Sequence, residues 1–268
     1  MRIEYRLTKK CNMTCSYCYD DFNESNPNIQ IDFEGLDHIL NEIKHLDYIE
    51  MYIHGGEPTR HPELNRLINF FQDDERVDSI IIQSNATKPI KNNASKLLVN
   101  YSYHPEFITL KKFIDNCKKT PNLGTLTVMD EKMVQDKNYL EYKVLKSLFP
   151  IVELSPIINE NLNQKPANSN LIELEDKWIF NEVKDQWFYK SYYDMWKTNT
   201  TNTKGKLCNI EFNELHFDSN KVYNCFNSMT SDLNGVPFKE FKYKPKQIKC
   251  PHNWCYFSMR NLDSKPET

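Results

Sequence analysis

The chain has 268 residues, 39% of them apolar and 13% aromatic, enough to bury a full core as one large domain or as a barrel with an appendage. A formal net charge of −3 argues against a general polyanion-binding role, so no nucleic-acid partner is expected. No apolar run approaches a membrane span and Met1-Arg2-Ile3-Glu4-Tyr5 is no signal peptide, which predicts a soluble, cytoplasmic protein with no membrane partner. In a reducing compartment, eight cysteines read as metal ligands more readily than as disulfides.

In chain order, Arg2 to Leu7 alternates as a strand and runs into a cysteine loop. Asp32 is placed to cap a helix whose apolar residues Phe33, Leu36, Ile39, Leu40 and Ile43 share one face. Tyr48 to His54 reads as a strand ending at Gly55-Gly56-Glu57-Pro58, and Pro62 opens a helix carrying Leu64, Leu67, Ile68 and Phe71. Asp78 to Gln83 is a buried parallel strand ending at Ser84-Asn85; the next helix is stunted by Pro89. Strands are expected over Leu97 to Tyr103, Leu123 to Met129 and Ile151 to Ser155. Helices fall between them, one opening at Pro105-Glu106 and one over Glu131 to Leu148. Six β/α repeats predict an α/β fold in which a parallel sheet curves into a partial (β/α)6 barrel over residues 1–157, with ligands at the carboxyl ends of the strands. Residues 158–205 read as a linker followed by an aromatic-rich helical segment, Glu173 to Trp196, and 206–268 as a small β-containing module with four cysteines.

Three thiols, Cys11, Cys15 and Cys18, lie within eight residues directly after the first strand. Soft thiolates suit an iron–sulfur cluster or zinc, and a three-ligand site leaves one metal position open for a substrate or cofactor. The C-x3-C-x2-C spacing after strand one, with Gly-Gly-Glu-Pro after strand two, resembles the radical S-adenosylmethionine (SAM) enzyme superfamily. The resemblance implies a [4Fe–4S] cluster on Cys11, Cys15 and Cys18, with SAM on the fourth iron. It also implies an adenine contact at Tyr17, the methionyl amine at Gly55, Gly56 and Glu57, and ribose and carboxylate contacts at Ser84, Asn85 and Ser102. The alternative from the residues alone is a structural zinc site.

Cys208, Cys225, Cys250 and Cys255 form a second group at C-x16-C-x24-C-x4-C spacing. Four thiolates can fill a second cluster or a structural zinc site. The group resembles the start of the auxiliary-cluster modules called SPASM and twitch, though its closing spacing departs from their commonest one; the resemblance implies one auxiliary [4Fe–4S] cluster. Cys117 sits on an apolar helix face and reads as a core residue. His104, after strand four, is the candidate catalytic acid or base, against an even alternative of no such role; Glu106 reads as complementing a helix dipole and His54 as positioning the glycine turn. The lysines among residues 239–249 suggest a dock for an acidic flavodoxin- or ferredoxin-type reductant, or a solvated loop.

The resemblance implies reductive cleavage of SAM and hydrogen abstraction from a substrate. Cys11 leaves no room for an N-terminal leader-binding domain, which favours a small molecule (a sugar, aminocyclitol or nucleotide), and a fully ligated auxiliary cluster that takes up the electron left after hydrogen abstraction makes its two-electron oxidation chemically sensible. Peptide epimerisation, cross-linking or oxidation is the runner-up, and a non-enzymatic iron–sulfur or zinc sensor the alternative from another class.

Overall fold

The computed structural model describes residues 1–15, 18, 22–130, 137–156, 171–174, 178–181, 186–189, 207–208, 213–225, 228–229, 232 and 234–250. Six parallel strands run in chain order across one unclosed sheet: β1 (Arg2–Thr8), β2 (Ile49–Gly55), β3 (Val77–Ser84), β4 (Leu97–Tyr103), β5 (Leu123–Asp130) and β6 (Val152–Pro156). This is the predicted partial barrel. Helices α1 (Phe33–Glu42), α2 (Leu64–Gln72), α3 (Leu110–Cys117) and α4 (Lys137–Leu148) supply the crossovers, while residues 85–96 pass from β3 to β4 without a helix.

The strands divide by parity. Ile3, Tyr5 and Leu7, Met51 and Ile53, Ile80 and Ile82, Val99 and Tyr101 join Leu36, Ile39, Leu67, Ile68 and Phe113 from the helices in one core. Each such buried Leu or Ile contributes roughly 1.5–3 kcal/mol relative to exposure. The alternate positions carry Glu4, Arg6 and Thr8, Tyr52 and His54, Gln83, and Ser102 on the opposite, inner face. Asp32 caps α1 as expected, its carboxylate accepting from the Gly35 N–H at 3.0 Å.

Two expectations are corrected. The helix after β4 does not begin at Pro105-Glu106: the His104 carbonyl accepts the N–H groups of Phe107 and Ile108 in a turn, and Thr109 caps α3 four residues later. Of the stretch Glu173 to Trp196, expected to be helical, the described residues lie instead in antiparallel strands, the end of β7 (Leu171–Leu174), β8 (Trp178–Asn181) and β9 (Gln186–Tyr189); the rest of it lies outside the described residues. Runs such as Trp-Ile-Phe and Trp-Phe-Tyr place bulky residues on consecutive positions, which a pleated strand accommodates better than one helical stripe.

The C-terminal part supplies strands β10 (Leu207–Cys208), β11 (Glu214–Asp218), β12 (Lys221–Tyr223), β13 (Val236–Pro237) and β14 (Ile248–Lys249). β11 pairs in parallel with β1 and carries β12 and β13 outward, giving the sheet order β13-β12-β11-β1-β2-β3-β4-β5-β6. Strands β11, β12 and β13 therefore extend the barrel's own sheet. The lysine-bearing segment is tied down too: Lys239 pairs with Glu34 at 3.0 Å and Lys242 with Glu42 at 2.9 Å, across α1. Phe238 packs edge-on to Tyr5 at 6.3 Å. Among the described residues no helix is long and apolar enough to cross a membrane.

Candidate functional site

The carboxyl ends of β1 to β4 bring together the cysteine loop, the glycine turn, Ser84-Asn85 and His104. The loop is anchored at its base by the Cys11 N–H to the Asn23 carbonyl at 3.0 Å, and the Cys18 N–H donates to the Cys15 carbonyl at 3.1 Å. Cys11 packs with Met13 and Phe22, and Cys15 and Cys18 pack against the same cluster, so all three thiols gather on one apolar patch. Among the described residues, no three His, Cys, Asp or Glu side chains share one point suited to a single metal ion. Burial pushes the Cys11 thiol up to about 11, with the Met13 N–H opposing and Glu57 reinforcing the shift. A thiolate there needs a compensating cation, which an iron–sulfur cluster provides. The donor set fits such a cluster: three soft sulfurs on one apolar patch, half-exposed at Cys15 and Cys18.

The glycine turn is built against this loop. The Gly56 N–H donates to the Thr8 carbonyl at 2.7 Å and the Glu57 N–H to the Lys10 carbonyl at 2.8 Å. Gly55 has φ +129°, and a Cβ there would stand 2.4 Å from the Thr8 oxygen. A Cβ on Gly56 would stand 2.4 Å from the Lys10 oxygen. Both glycines are thus demanded by close approach of two backbones, a requirement separate from any ligand.

Glu57 is fully buried, and its side chain turns to the protein. Its carboxylate accepts from the Thr59 N–H at 3.0 Å, the Ser84 hydroxyl at 2.8 Å and the Asn85 N–H at 2.7 Å. Asn85 in turn donates through Nδ2 to Asn12 Oδ1 at 3.1 Å and accepts from the Thr87 hydroxyl at 2.7 Å. Asn12 Nδ2 closes the ring onto Thr87 at 3.0 Å. Ser84 and Asn85 are therefore brought to the site, with these bonds directed at the turn and the loop. Ser102 lies on the inner face, accepting from Gln83 Nε2 at 2.7 Å, while Tyr52 donates to Gln83 at 3.2 Å. His104 reaches back to the loop, with Nδ1 4.0 Å from Cys15 Sγ; burial lowers its pKa to about 4, favouring the neutral ring.

Deeper on the inner face lies a charged layer between β1 and β11. His216 stands 3.4 Å from Glu4 and 3.6 Å from Glu214, and Arg6 pairs with Asp218 at 2.5 Å. Burial alone would raise Glu4, but His216, with His54 and Arg2 behind it, holds its carboxyl down at about 2. Burial opposes the imidazolium of His216, yet Glu214 and Glu4 raise its pKa. Burial takes His54 the other way, to about 4. Of these residues only His54 is singled out by sequence, as positioning the glycine turn; for the others the alternating charges in Glu4-Tyr5-Arg6 and Glu214-Leu215-His216-Phe217-Asp218 are the signal.

Cys117 is a core residue, 1% exposed, with its thiol pushed up to about 12 by burial. Of the second cysteine group, Cys208 lies in β10 opposite Ile248 of β14, and Cys250 directly follows that strand. Cys225 follows β12, its sulfur 3.3 Å from the Ser228 hydroxyl. Tyr17 and Cys255 lie outside the described residues.

Comparison with known proteins agrees with this arrangement. Residues 5–101 match the Radical SAM superfamily. A 62-residue stretch is 39% identical to a probable GTP 3′,8-cyclase of Archaeoglobus fulgidus, covering 23% of this chain and 21% of that relative, about a fifth of its length. The fold is similar to anSMEcpe with bound AdoMet and Cp18Cys peptide (TM-score 0.56, 13% identity, 90% of this chain and 78% of that one). It is also similar to SuiB of Streptococcus suis bound to precursor peptide SuiA (TM-score 0.56, 12% identity, 91% of this chain and 64% of that one). The three thiols, gathered beside the glycine turn at the carboxyl edge of an unclosed parallel sheet, lie within the stretch 5–101 that matches the Radical SAM superfamily.

Proposed function

We propose that this chain is a radical SAM enzyme that oxidises a small polar molecule, with Cys11, Cys15 and Cys18 holding a [4Fe–4S] cluster. The observation that carries the reading is the direct backbone attachment of the Gly55-Gly56-Glu57 turn to the residues leading into the cysteine loop. The cluster, when bound, supplies the electron that cleaves SAM to methionine and a hydrogen-abstracting 5′-deoxyadenosyl radical. Gly55, Gly56 and Glu57 would receive the methionyl amine of SAM through their backbone, and Tyr17 would supply the adenine contact. Glu57, Ser84 and Asn85 act as positioning residues, fixing the turn relative to the loop through hydrogen bonds they already make to one another. Ser102 and Gln83 face the inner space where substrate is held.

The polarity of the inner face supports the substrate class. Tyr52, His54, Gln83 and Ser102, above the Glu4, Arg6, His216 and Asp218 layer, offer hydrogen-bonding groups suited to a sugar, an aminocyclitol or a nucleotide. A peptide substrate is the second reading, favoured by the peptides bound in the two similar structures. Cys208, Cys225, Cys250 and Cys255 are proposed to hold an auxiliary [4Fe–4S] cluster that takes up the electron left after hydrogen abstraction. A flavodoxin- or ferredoxin-type protein is the proposed electron donor.

Candidate substrates incubated with reduced, cluster-loaded protein and SAM distinguish these readings. Small-molecule oxidation predicts a product two mass units lighter than substrate, with one 5′-deoxyadenosine formed per product. A peptide product of unchanged mass, formed by epimerisation, would refute oxidation.

A further inference from the structure

The Nδ1 atom of His104 faces Cys15 Sγ at 4.0 Å, across 89 residues of sequence. Its backbone is held by two bonds, the N–H groups of Phe107 and Ile108 donating to the His104 carbonyl at 3.0 and 3.1 Å. The residue directly follows Tyr103, which is 1% exposed and packs on Phe113 at 4.8 Å, so the ring is presented from a fixed strand end. A metal-bound cysteine sulfur is an acceptor only, so the imidazole that fits a ligated Cys15 carries its proton on Nδ1.

We propose that His104 donates a hydrogen bond through Nδ1 to the sulfur of cluster-bound Cys15, and that this bond sets the cluster's reduction potential. The inference rests on the radical SAM reading of Cys11, Cys15 and Cys18. Reduction adds negative charge to the cluster and its thiolates, so a donor aimed at one sulfur stabilises the reduced form more than the oxidised one and raises the potential. His104 is thus a positioning residue acting through Cys15, and the acid–base role expected from its place after β4 gives way to a redox one. It is a donor to the sulfur, not a fourth ligand, which leaves the open iron to SAM.

The test uses the full chain, reconstituted anaerobically with iron and sulfide, in potentiometric titrations followed by electron paramagnetic resonance. A Cys11→Ala/Cys15→Ala/Cys18→Ala triple variant identifies the signal of any auxiliary cluster. His104→Ala and His104→Leu are expected to retain the Cys11–Cys18 cluster with a more negative midpoint. At a fixed potential the reduced-to-oxidised ratio should fall about tenfold, about 59 mV for a one-electron couple. His104→Gln, which keeps an N–H donor, should recover much of that shift. An unchanged midpoint in both donor-less variants overturns the proposal. So does loss of the cluster's iron from both, which would make His104 a ligand. If the wild-type chain assembles no cluster that depends on the three cysteines, the radical SAM reading fails first and the inference falls with it.

Discussion

Glu57 Oε2 accepts the backbone N–H of Asn85 at 2.7 Å, joining the end of β2 to the end of β3 inside the site. The same carboxylate holds Ser84 and Thr59, so one buried side chain fixes two of the segments expected to contact SAM.

Glu57→Gln keeps the shape but replaces one acceptor oxygen with a donor NH2, which must face a donor already in place. Leaving such a buried group mispaired costs about 1–3 kcal/mol, more where a charged partner is lost. The variant should melt at lower temperature and bind SAM several-fold more weakly, measured by calorimetry. Unchanged stability would show that the three hydrogen bonds are not holding the turn.

Gly56→Ala tests the close approach of turn and loop. Its Cβ would stand 2.4 Å from the Lys10 oxygen, a contact that only backbone movement relieves. A loss of about 1–3 kcal/mol in denaturant unfolding is expected, together with reduced iron retention after reconstitution. Wild-type stability and iron content would contradict the packing account.

The layer between β1 and β11 makes stability depend on pH in both directions. The folded carboxyl of Glu4, at about 2, lies below its ordinary value of 4.5. Its contribution is therefore present above pH 4.5 and lost as pH falls toward 2. At about 1.4 kcal/mol per pKa unit the ceiling is roughly 3 kcal/mol, shared with His216. The raised pKa of His216 acts oppositely: its contribution is full below its ordinary 6.5 and lost as pH rises through the folded value. Urea unfolding of wild type and Glu4→Gln should differ most between about pH 5 and 6 and converge toward pH 2. A difference constant across that range would contradict the assignment.

Iron content tests the second cysteine group. Cys208→Ala and Cys250→Ala should each lower reconstituted iron from about eight atoms per chain to about four, with the Cys11–Cys18 cluster retained. Zinc in the purified protein, with iron at about four in wild type and variants alike, would replace the auxiliary cluster with a structural zinc site.

The barrel was legible because its signals are local. Leu97 to Tyr103 was read with its observed limits, and the Asp32 cap sits where sequence placed it. The C-x3-C-x2-C loop and Gly-Gly-Glu-Pro turn were equally plain. The addition of β11 to β1 was not, since alternating charges on each strand do not say which strand, some 212 residues away, is the partner. Nor was the inward turn of Glu57, because the motif fixes a backbone course and not the direction of its last side chain. His104 was noticed for its place after β4, but its proximity to Cys15 depends on how the cysteine loop folds back over the sheet.

The most direct test of the central claim is anaerobic incubation of the reconstituted, dithionite-reduced chain with SAM, scored by mass spectrometry for 5′-deoxyadenosine. Radical SAM chemistry predicts its formation by the wild type and none above background when Cys11, Cys15 or Cys18 is replaced by Ala. Absence of 5′-deoxyadenosine from wild-type protein with an intact cluster, or its undiminished formation by those variants, would contradict the account.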